Sequence, residues 1–586
     1  MASSQQGLGG KRSTLMRPAL LILMIVLAGV PGFAGGTWSP PTGPELARLE
    51  QAIAGWDRQF DPAEDMLRQP LSSPGYHTAL KTGFVHPTRQ SLSYALGLLD
   101  TGREENIARA MAILRKVLAL QDRDPASPTF GLWSWFLEEP LGRMNPPDWN
   151  WADFNGITLL QIFRDHRARL SPELTAALRT AITAAGQAIR KRNAGPDYTN
   201  IAVMGTYVTL VGGECLGDEE LRAYGLTRLK RFADYTHQNG GFAEYNSPPY
   251  TSITLLELSR LQAQVQDASA QELIQPLLRQ AWEEIAQHFH PPTRQWAGPN
   301  SRAYDSLMHP ATLAMIERAT AGQTPFGVDR PDPDDRRIPL SCPADLVPLF
   351  QALPAPRAVV ASYSREREQT GTTYLHADYA LGSITRSDLW GQRRALLLHF
   401  GSFAKPGYLQ LRFLKDGHDF ASAWLTSAQR EGLVTGIVNF ATNGGDTHIV
   451  LDKIRNARFR AGDLRLRFEL GGATSDARIA TDPAARTAVV DLGKLAVHLQ
   501  FPFASLDGRE GRLETGMEGA RRWLDVVLYT GPDREFDLQR LTEAAVGFVL
   551  SVGSHGKADL RRDGGDLTIR CDSLSVQAPL KPGPQS

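Results

Sequence analysis

The stretch T-P-F-G-V-D-R-P-D-P-D-D-R-R-I-P, Thr324–Pro339, separates two halves of the chain that have different residue periods. Proline fixes its own backbone angle and lacks a hydrogen-bond donor, and this run of charges has no apolar face to bury. Neither a helix interior nor a central strand accommodates such a run. The stretch therefore predicts a linker, over residues 324–354, and the fold class follows from what lies on either side of it.

The residues before this linker have a helical period. Leu92, Ala95, Leu96 and Leu99 recur at the spacing of one helix face, and similar faces continue from about residue 89 to residue 322. The helices come in pairs of roughly forty-five residues, a period that is typical of stacked helical hairpins. Such an array forms either an open solenoid or a closed α/α toroid.

The residues after the linker alternate between apolar and polar side chains. K-L-A-V-H-L-Q-F, Lys494–Phe501, and W-L-D-V-V-L-Y, Trp523–Tyr529, are two of several such runs, which Gly, Asp and Asn turns separate. Alternation of this kind is typical of antiparallel strands with one buried face. The sequence predicts an antiparallel β-sandwich over residues 355–578 and a disordered tail at 579–586, so that the fold class is α+β with two domains.

The charges of the chain balance, with 63 Lys and Arg residues against 63 Asp and Glu residues. A neutral chain has no overall field that attracts nucleic acid or an anionic membrane, and neither is an expected partner. The three cysteines, Cys215, Cys342 and Cys571, allow one disulfide at most and require none. Because no Cys or His spacing fits a metal site, we expect neither a metal nor a cofactor.

The N-terminus resembles a secretory signal peptide. Lys11, Arg12 and Arg17 precede an apolar run from Pro18 to Val30, and the small residues near Ala34 suit a signal peptidase. The run is short for a membrane span, and an uncleaved anchor is the alternative. We predict a signal peptide over residues 1–34 and a periplasmic or secreted protein, which no longer contacts the membrane after cleavage.

Polar and aromatic residues recur at one position of the helical hairpins. Asn155, Asn200, Tyr250, Arg302 and Tyr304 each come near the start of a predicted hairpin, at intervals of roughly fifty residues. Asn is also a good helix cap and turn residue, so each one alone has a structural explanation. Tyr is a poor cap, and the recurrence at one phase predicts that these side chains converge on one edge of the array.

The loops at this edge carry further candidates for substrate binding. The stretch N-G-G-F-A-E-Y-N-S-P-P-Y, Asn239–Tyr250, contains two adjacent prolines, which we expect to stay outside the helix and to make the loop stiff. Tryptophans in the same phase either belong to the core or stack on sugar rings. The expected substrate-binding residues are Asn155, Trp149, Trp151, Glu244, Tyr245 and Asn246, with Trp133 and Trp135 on the same loops.

Amides, tyrosines and an arginine suit β-elimination on a uronic-acid polysaccharide. No G-x-S-x-G, H-E-x-x-H or P-loop motif occurs, which excludes the commonest acyl-transfer, zinc and nucleotide chemistries. In β-elimination the proton next to the uronate carboxyl group is removed, and negative charge accumulates on that group. Asn200 and Arg302 can donate hydrogen bonds to it. Tyr250 can act as the base and then as the acid, with Tyr304 as the next candidate.

The layout resembles the heparinase II/III-like and alginate-lyase-like polysaccharide lyases over roughly residues 90 to 570. Two motifs carry the resemblance: Y-T-N-I-A-V-M-G around Asn200 and the G-G-F-x-E-x-x-S-P-x-Y loop that ends in Tyr250. The resemblance implies an α/α toroid over residues 35–323. It also implies that Asn200 neutralises the substrate carboxylate and that Tyr250 moves the proton, while Glu244 holds the loop or orients a neighbour.

The sequence departs from these lyases at two points. Several of them have a His directly after the Asn, where this chain has Ile201. They often supply another His from the β domain, for which His376, His399 and His448 are the candidates. We favour His376 as a catalytic residue because polar residues surround it in T-Y-L-H-A-D-Y. No His/Asp cluster corresponds to the metal site that some of these enzymes carry.

Two other functions remain open at this point. A glycoside hydrolase on the same toroid needs two carboxylates, for which Asp153 and Glu244 are the predicted pair and Asp148 a reserve. A non-catalytic glycan-binding protein is the second alternative. An acidic polysaccharide is the expected partner, but alginate, glucuronan and glycosaminoglycans all present a carboxylate next to the reacting carbon. The oligomeric state and the choice between endo and exo cleavage do not follow from the sequence.

Overall fold

A computed structural model describes residues 38–72, 76–445, 454, 456–474, 476–553 and 556–585. The predicted signal peptide and His448 lie outside the described residues. Residues from Thr37 onward form one unit, which contains both halves of the chain. The α+β fold class is confirmed, because a helical half is followed by an antiparallel β half. In the part of the chain that is described, no helix is long and apolar enough to cross a membrane.

The helical half consists of hairpins in which sequence-local contacts define both ends of each helix. Ser171, Asp218 and Asp267 accept hydrogen bonds from first-turn N–H groups, and Gly217 and Gly240 end helices in the left-handed conformation. The helices are α1 (Pro44–Asp57), α2 (Thr88–Thr101), α3 (Glu104–Ala119), α4 (Asn150–His166), α5 (Pro172–Arg192), α6 (Thr199–Leu216), α7 (Glu219–Asn239), α8 (Pro248–Gln264), α9 (Ala268–His288), α10 (Pro310–Ala319) and α11 (Pro348–Gln351).

The helices form two layers. The even-numbered helices α2, α4, α6, α8 and α10 pack successively side by side, and α3, α5, α7 and α9 pack behind them. Because each hairpin returns the chain to the same end, the inner helices run in parallel and begin at one edge. We call this edge, at the starts of α2, α4, α6 and α8, the mouth of the ring.

The expected linker packs against the far ends of the inner helices α2, α4 and α8. A 3-10 turn, Pro333–Arg336, follows the last inner helix, and Arg337 beside it donates to Asp100 at the end of α2 and to Asp165 at the end of α4. Arg260 of α8 reaches both Asp334 of this turn and Gln161 of α4. The proline-rich stretch is therefore packed against the helices instead of spanning freely between the halves.

The β half is a sandwich of two large antiparallel sheets that share one core, to which Leu411, Phe413, Val434 and Phe548 contribute. In spatial order the first sheet comprises Arg512–Glu518, Arg521–Asp537, Arg458–Gly472, Lys405–Lys415, Leu396–Ser402, Tyr379–Ile384, Gln369–His376 and Arg357–Ser364, with His418–Asp419 at its side. The second comprises Ser387–Asp388, Ala423–Arg430, Leu433–Phe440, Ala544–Val552, Ala496–Leu506, Thr487–Asp491 and Arg478–Asp482, with Arg509–Glu510 at its side.

Shorter elements complete the fold. A three-stranded sheet, Asp559–Asp563, Asp566–Cys571 and Leu574–Pro579, packs on the second large sheet. The C-terminal residues differ from the disordered tail that the sequence predicts, because Gly583 accepts a hydrogen bond from Thr442 and Gln585 pairs with Asn443. Small hairpins join Phe60–Asp61 to Met66–Leu67, Gln69–Pro70 to Phe84–Val85 and Phe289–His290 to Gln295–Trp296, and single 3-10 turns lie at Leu141–Arg143 and Arg167–Arg169. The three cysteines are free.

The β half docks at the mouth of the ring. Gly382 lies so close to Gly298 that any side chain at Gly382 would collide with the Gly298 carbonyl oxygen. Thr373 donates to the same carbonyl at 2.6 Å, and the backbones of Asn300 and Arg394 pair as in a short antiparallel ladder. This docking brings the loop at 389–395 of the β half next to the starts of the inner helices.

Candidate active site

The loop that carries Tyr250 is fixed by its own helix. Gly240 ends α7, and α8 begins at Pro248, so that the adjacent prolines lie inside the first helical turn. This corrects the expectation that they stay outside the helix: first-turn N–H groups have no intrahelical partner, and proline loses nothing there. The side chain of Ser247 accepts from the Tyr250 N–H at 3.2 Å and donates to the Arg302 carbonyl at 2.6 Å.

Glu244 connects the helix starts with the Arg302 loop. Its carboxylate accepts from the Asn200 side chain at 2.7 Å, from the Asn200 backbone at 3.0 Å and from the Arg302 guanidinium at 2.8 Å. Burial raises the pKa of Glu244, whereas Arg302 and Asn200 oppose the rise. Glu244 is only 5% exposed, so its role is to orient Asn200 and Arg302 instead of contacting a ligand directly.

Tyr250 and Tyr304 form a pair at the surface of this cluster. Their hydroxyl groups are hydrogen bonded to each other, and the Arg302 guanidinium lies 4.1 Å from the centre of the Tyr250 ring. Burial raises the pKa of Tyr250 well above its usual range, and Arg302 acts in the opposite direction. Tyr304 is 60% exposed. The pair therefore connects a half-buried, protonated phenol to solvent through a second phenol.

The β half completes the cluster with two residues that sequence reasoning missed. Gln392 accepts from Nε of Arg302 at 2.9 Å, and the Trp390 ring lies 5.4 Å from the same guanidinium. Both belong to L-W-G-Q, Leu389–Gln392, a turn between two short strands. A tryptophan in a turn between strands is the sequence feature that could have pointed to this loop. The alternating pattern of the strands, however, does not predict which turn contacts the helices.

A second group of tyrosines lies near the cluster, with Tyr76 in the loop between Gln69–Pro70 and Phe84–Val85 and Tyr198 just before α6. Burial raises the pKa of Tyr76, and the nearby Tyr304 and Arg302 have opposing electrostatic effects on it. Tyr198 accepts from Asn150 at 3.3 Å and also lies in the field of Arg302. These tyrosines, which sequence reasoning also missed, extend the site into a cleft across the mouth of the ring.

Three predicted substrate-binding residues are buried and structural. The Tyr245 ring stacks on Tyr363 with centres 4.0 Å apart, in the core of the β half. Asn246 is fully buried and donates to the carbonyls of Ala297 and Pro299 at 2.8 Å. Asn155 is also fully buried, because α4 begins five residues earlier, at Asn150, and carries Asn155 into its second turn. Their burial gives no support to the expectation that these three contact substrate.

The tryptophans divide between core and cleft. Trp133 is fully buried and donates to the Val117 carbonyl at 3.0 Å. Trp149 and Trp151 are half-buried at the start of α4, and Trp151 stacks on Trp135 with ring centres 5.0 Å apart. Trp149 and Trp151 thus keep an accessible edge, as a sugar-binding role requires.

The histidines of the β half lie away from the tyrosine pair or are buried. His376 stacks on Tyr379 at 4.9 Å and faces Asp378 on a strand-to-strand turn, and its contacts within the described residues do not include the cluster around Arg302. His399 is 1% exposed and bonds the Ser306 carbonyl at 2.7 Å, and burial lowers its pKa to about 4. The geometry therefore gives no support to His376 as a catalytic residue.

The carboxyl groups proposed for a hydrolase do not face the cleft as a pair. Asp153 is 1% exposed, and burial raises its pKa to about 7, while Arg192 lies 3.8 Å away. Asp148 is held by the Trp135 indole N–H at 3.2 Å and by the Asn150 backbone. Hydrolysis needs both carboxyl groups beside the scissile bond, and Glu244 is already enclosed by Asn200 and Arg302. Among the described residues, no group of His, Cys, Asp and Glu could hold a metal ion.

Comparisons with known proteins find a family model for part of the chain and similar solved structures. A family of proteins described as a domain of unknown function (DUF8769) matches residues 48–324, which is the helical half. No curated protein matches the chain. Among solved structures, a crystal structure of heparinase III is similar with 10% sequence identity and a TM-score of 0.41, and the match covers 84% of this chain and 82% of that one.

Proposed function

We propose that this protein is a polysaccharide lyase, which cleaves a uronic-acid-containing polysaccharide by β-elimination, with Tyr250 as the proton carrier. The observation that carries the proposal is the Tyr250–Tyr304 hydroxyl pair beside Arg302, which Glu244 holds in register with Asn200. The cluster combines a proton carrier, a route to solvent and a cationic donor at one end of a cleft.

β-Elimination requires stabilisation of the negative charge that develops next to the C5 proton as this proton is removed. The C5 proton of the uronate moves to the base, the C4=C5 double bond forms, and the bond from C4 to the glycosidic oxygen breaks. Negative charge accumulates on the C6 carboxyl group, where donors stabilise the transition state most. Arg302 uses Nε and Nη1 for Gln392 and Glu244, and its Nη2 makes no hydrogen bond within the described residues. We assign Nη2 of Arg302 to the carboxyl group, and we assign Asn200, which is 3% exposed and donates to Glu244, to the positioning of Glu244 and, through it, of Arg302.

The protonation state and the exposure of the two tyrosines give each of them a role. The raised pKa of Tyr250 keeps its hydroxyl protonated in the free protein, so it must lose this proton before it can accept one from C5. Tyr304, which is hydrogen bonded to Tyr250 and exposed, supplies the route to water. Once Tyr250 carries the C5 proton, the same hydroxyl can protonate the departing glycosidic oxygen.

The proposed substrate is consistent with the proposed location of the protein outside the cytoplasm. Uronate polymers such as alginate, glucuronan and glycosaminoglycans occur outside the cytoplasm, and we propose that the residues from Lys11 to Ala34 direct export. Each polymer would meet the protein as a soluble acidic partner, without nucleic acid or a membrane.

The test is product analysis on purified protein. Incubation with alginate, glucuronan and glycosaminoglycans should release an unsaturated uronate, which absorbs in the ultraviolet, from at least one polymer. Reducing sugar without ultraviolet absorbance would indicate hydrolysis, and binding without any cleavage would indicate a glycan-binding protein. Either result would reject the proposal.

A further inference from the structure

Arg89 lies at the mouth of the ring, at the start of α2. It is the second residue of α2, and its guanidinium lies 3.8 Å from the centre of the Phe154 ring on α4. The charges of Glu257 on α8 and of Asp148 before α4 also act on the pKa of Arg89 and raise it. Arg89 therefore belongs to α2, packs on α4 and lies within the electrostatic range of α8, so we place it in the space between these helices.

Arg89 is nevertheless open to solvent. Its side chain is exposed, although desolvation by the surrounding protein lowers its pKa. Both observations hold for a side chain at the floor of a cleft, which water reaches from one direction only. The aromatic side chains beside it are Phe154, Trp151 and Trp135, and Trp151 is fixed to the start of α2 by a 3.0 Å hydrogen bond to Thr88.

The charge of Arg89 has no close partner. Within the described residues it makes neither an ion pair nor a side-chain hydrogen bond. Glu257 is already paired with Arg260 at 3.1 Å, and Asp148 accepts from Trp135 and from the Asn150 backbone. By contrast, the positive charge of Arg302 is paired with Glu244 at 2.8 Å. Arg89 is therefore the cation of the cleft that has its full donor fork available.

We propose that Arg89 is a second anion-binding position of the cleft, which takes a carboxylate or sulfate group of the polymer on a sugar other than the one that reacts. This inference rests on the proposed function. It narrows the range of substrates to polymers that carry an acidic group on more than one sugar of the bound segment. Glu257, which Arg89 senses, lies seven residues along α8 from Tyr250, or about 10 Å. One oligosaccharide can therefore contact both ends of the cleft.

The aromatic surroundings fit the same role. The face of Arg89 rests on Phe154, which holds the guanidinium flat and leaves its edge free for a bidentate contact. Trp151, which is half-buried and packs on Phe154, offers apolar surface for the sugar ring that carries the acidic group, and the buried Trp135 supports it from behind. A sugar with an acidic substituent matches both features of this end of the cleft.

The test measures binding in the full-length Tyr250→Phe protein, which prevents turnover. The probes are tetrasaccharides of alginate, glucuronan and hyaluronan and their carboxyl-reduced counterparts, with affinities from calorimetric titration. A charge-assisted contact contributes enough that Arg89→Met should weaken binding of the best acidic probe by about ten- to a hundredfold. Arg89→Lys, which keeps the charge but loses the fork, should recover part of the affinity.

Arg115→Met is the matched control, because Arg115 is an exposed arginine of α3 in the outer layer. It changes the net charge equally and should leave every affinity within twofold of the parent protein. Circular dichroism and the melting temperature should be unchanged in both variants, since Arg89 makes no hydrogen bond that the fold needs.

The outcomes separate the inference from the proposed function. Acidic binding that Arg89→Met leaves unchanged overturns the inference alone, as does an equal loss for acidic and carboxyl-reduced probes. Arg89-dependent binding of acidic probes by a protein that forms no unsaturated product supports the inference and rejects the lyase. Failure of the Tyr250→Phe protein to prefer acidic probes, together with no cleavage by the wild type, overturns both.

Discussion

Replacing Tyr250 by phenylalanine should remove the proton carrier and leave the site intact. The contacts that position the ring do not involve the hydroxyl: Arg302 lies over the ring at 4.1 Å, and Ser247 holds the backbone N–H at 3.2 Å. The described partner of the hydroxyl is Tyr304, which is exposed and can bond water instead. We therefore expect the variant to fold with an unchanged cleft.

The expected loss is large in kcat and small in KM. General acid–base catalysis by one group contributes about 10²- to 10⁴-fold. One hydrogen bond to substrate contributes about 1 kcal/mol, which is roughly a fivefold change in affinity. Tyr250→Phe should therefore lower kcat at least about a hundredfold and change KM by no more than about fivefold.

The assay follows ultraviolet absorbance of the unsaturated product over a range of polymer concentrations. Tyr245→Phe is the control, because it removes the same atom five residues away. Sequence reasoning expects this change to raise KM, but the Tyr245 ring is 3% exposed and stacks on Tyr363. We expect its kcat and KM to match the wild type, with an effect on stability alone.

Retention of more than about a tenth of the wild-type kcat by Tyr250→Phe would refute the assignment, since acid–base catalysis supplies at least tenfold more than that. Tyr304 would then be the next candidate, because it is the hydroxyl in direct contact with Tyr250. A fall in melting temperature together with kcat would point instead to a structural role of the hydroxyl.

Three further predictions concern pH, stability and processing. Because burial raises the pKa of Tyr250, its ionised fraction and hence kcat/KM should rise about tenfold per unit from about pH 7 to about pH 9; a flat profile would contradict a tyrosinate base. Burial raises the pKa of Glu284 to about 7, so its carboxyl group favours folding below about pH 4 and loses that contribution as pH rises through about 7. Glu284→Gln keeps an acceptor for the Asn246 N–H and should be up to about 3 kcal/mol more stable than wild type at about pH 8, but similar at about pH 4, in denaturant unfolding; equal stability at both pH values would exclude this account. Mass spectrometry of the exported protein should find residues 1–34 removed, and an intact Met1 terminus would rule out cleavage.

The hairpin period of the sequence predicted the cluster around Arg302. Residues at the same position within successive hairpins lie at the same edge of the ring. Asn200 and Tyr250 lie at the starts of α6 and α8, Arg302 lies in the loop before α10, and a stacked array places equal phases at one edge. The argument failed for Asn155, since it lies five residues after the start of α4, whereas Asn200 and Tyr250 lie within two residues of the starts of α6 and α8. The period of the sequence locates a residue along its helix only to within one turn. One turn decides whether the side chain faces the cleft or is buried in the core.

The remaining errors have a different cause, which is tertiary packing. Tyr245 and Asn246 look like loop residues available to a ligand, but the β half and the 296–300 segment cover them. Trp390 and Gln392 reach Arg302 only because Gly382 and Gly298 allow two backbones to touch. Contacts between residues this distant in the chain leave no local pattern, so they could not be predicted from one sequence.

The 3-10 turn at the far ends of the inner helices limits how a long polymer can pass between them. Arg337 ties this turn to α2 and α4, and Asp334 ties it to α8. If the protein acts as proposed, a polymer that enters between these helices at the mouth meets the turn at the far end. Its products would then leave on the side by which the polymer entered.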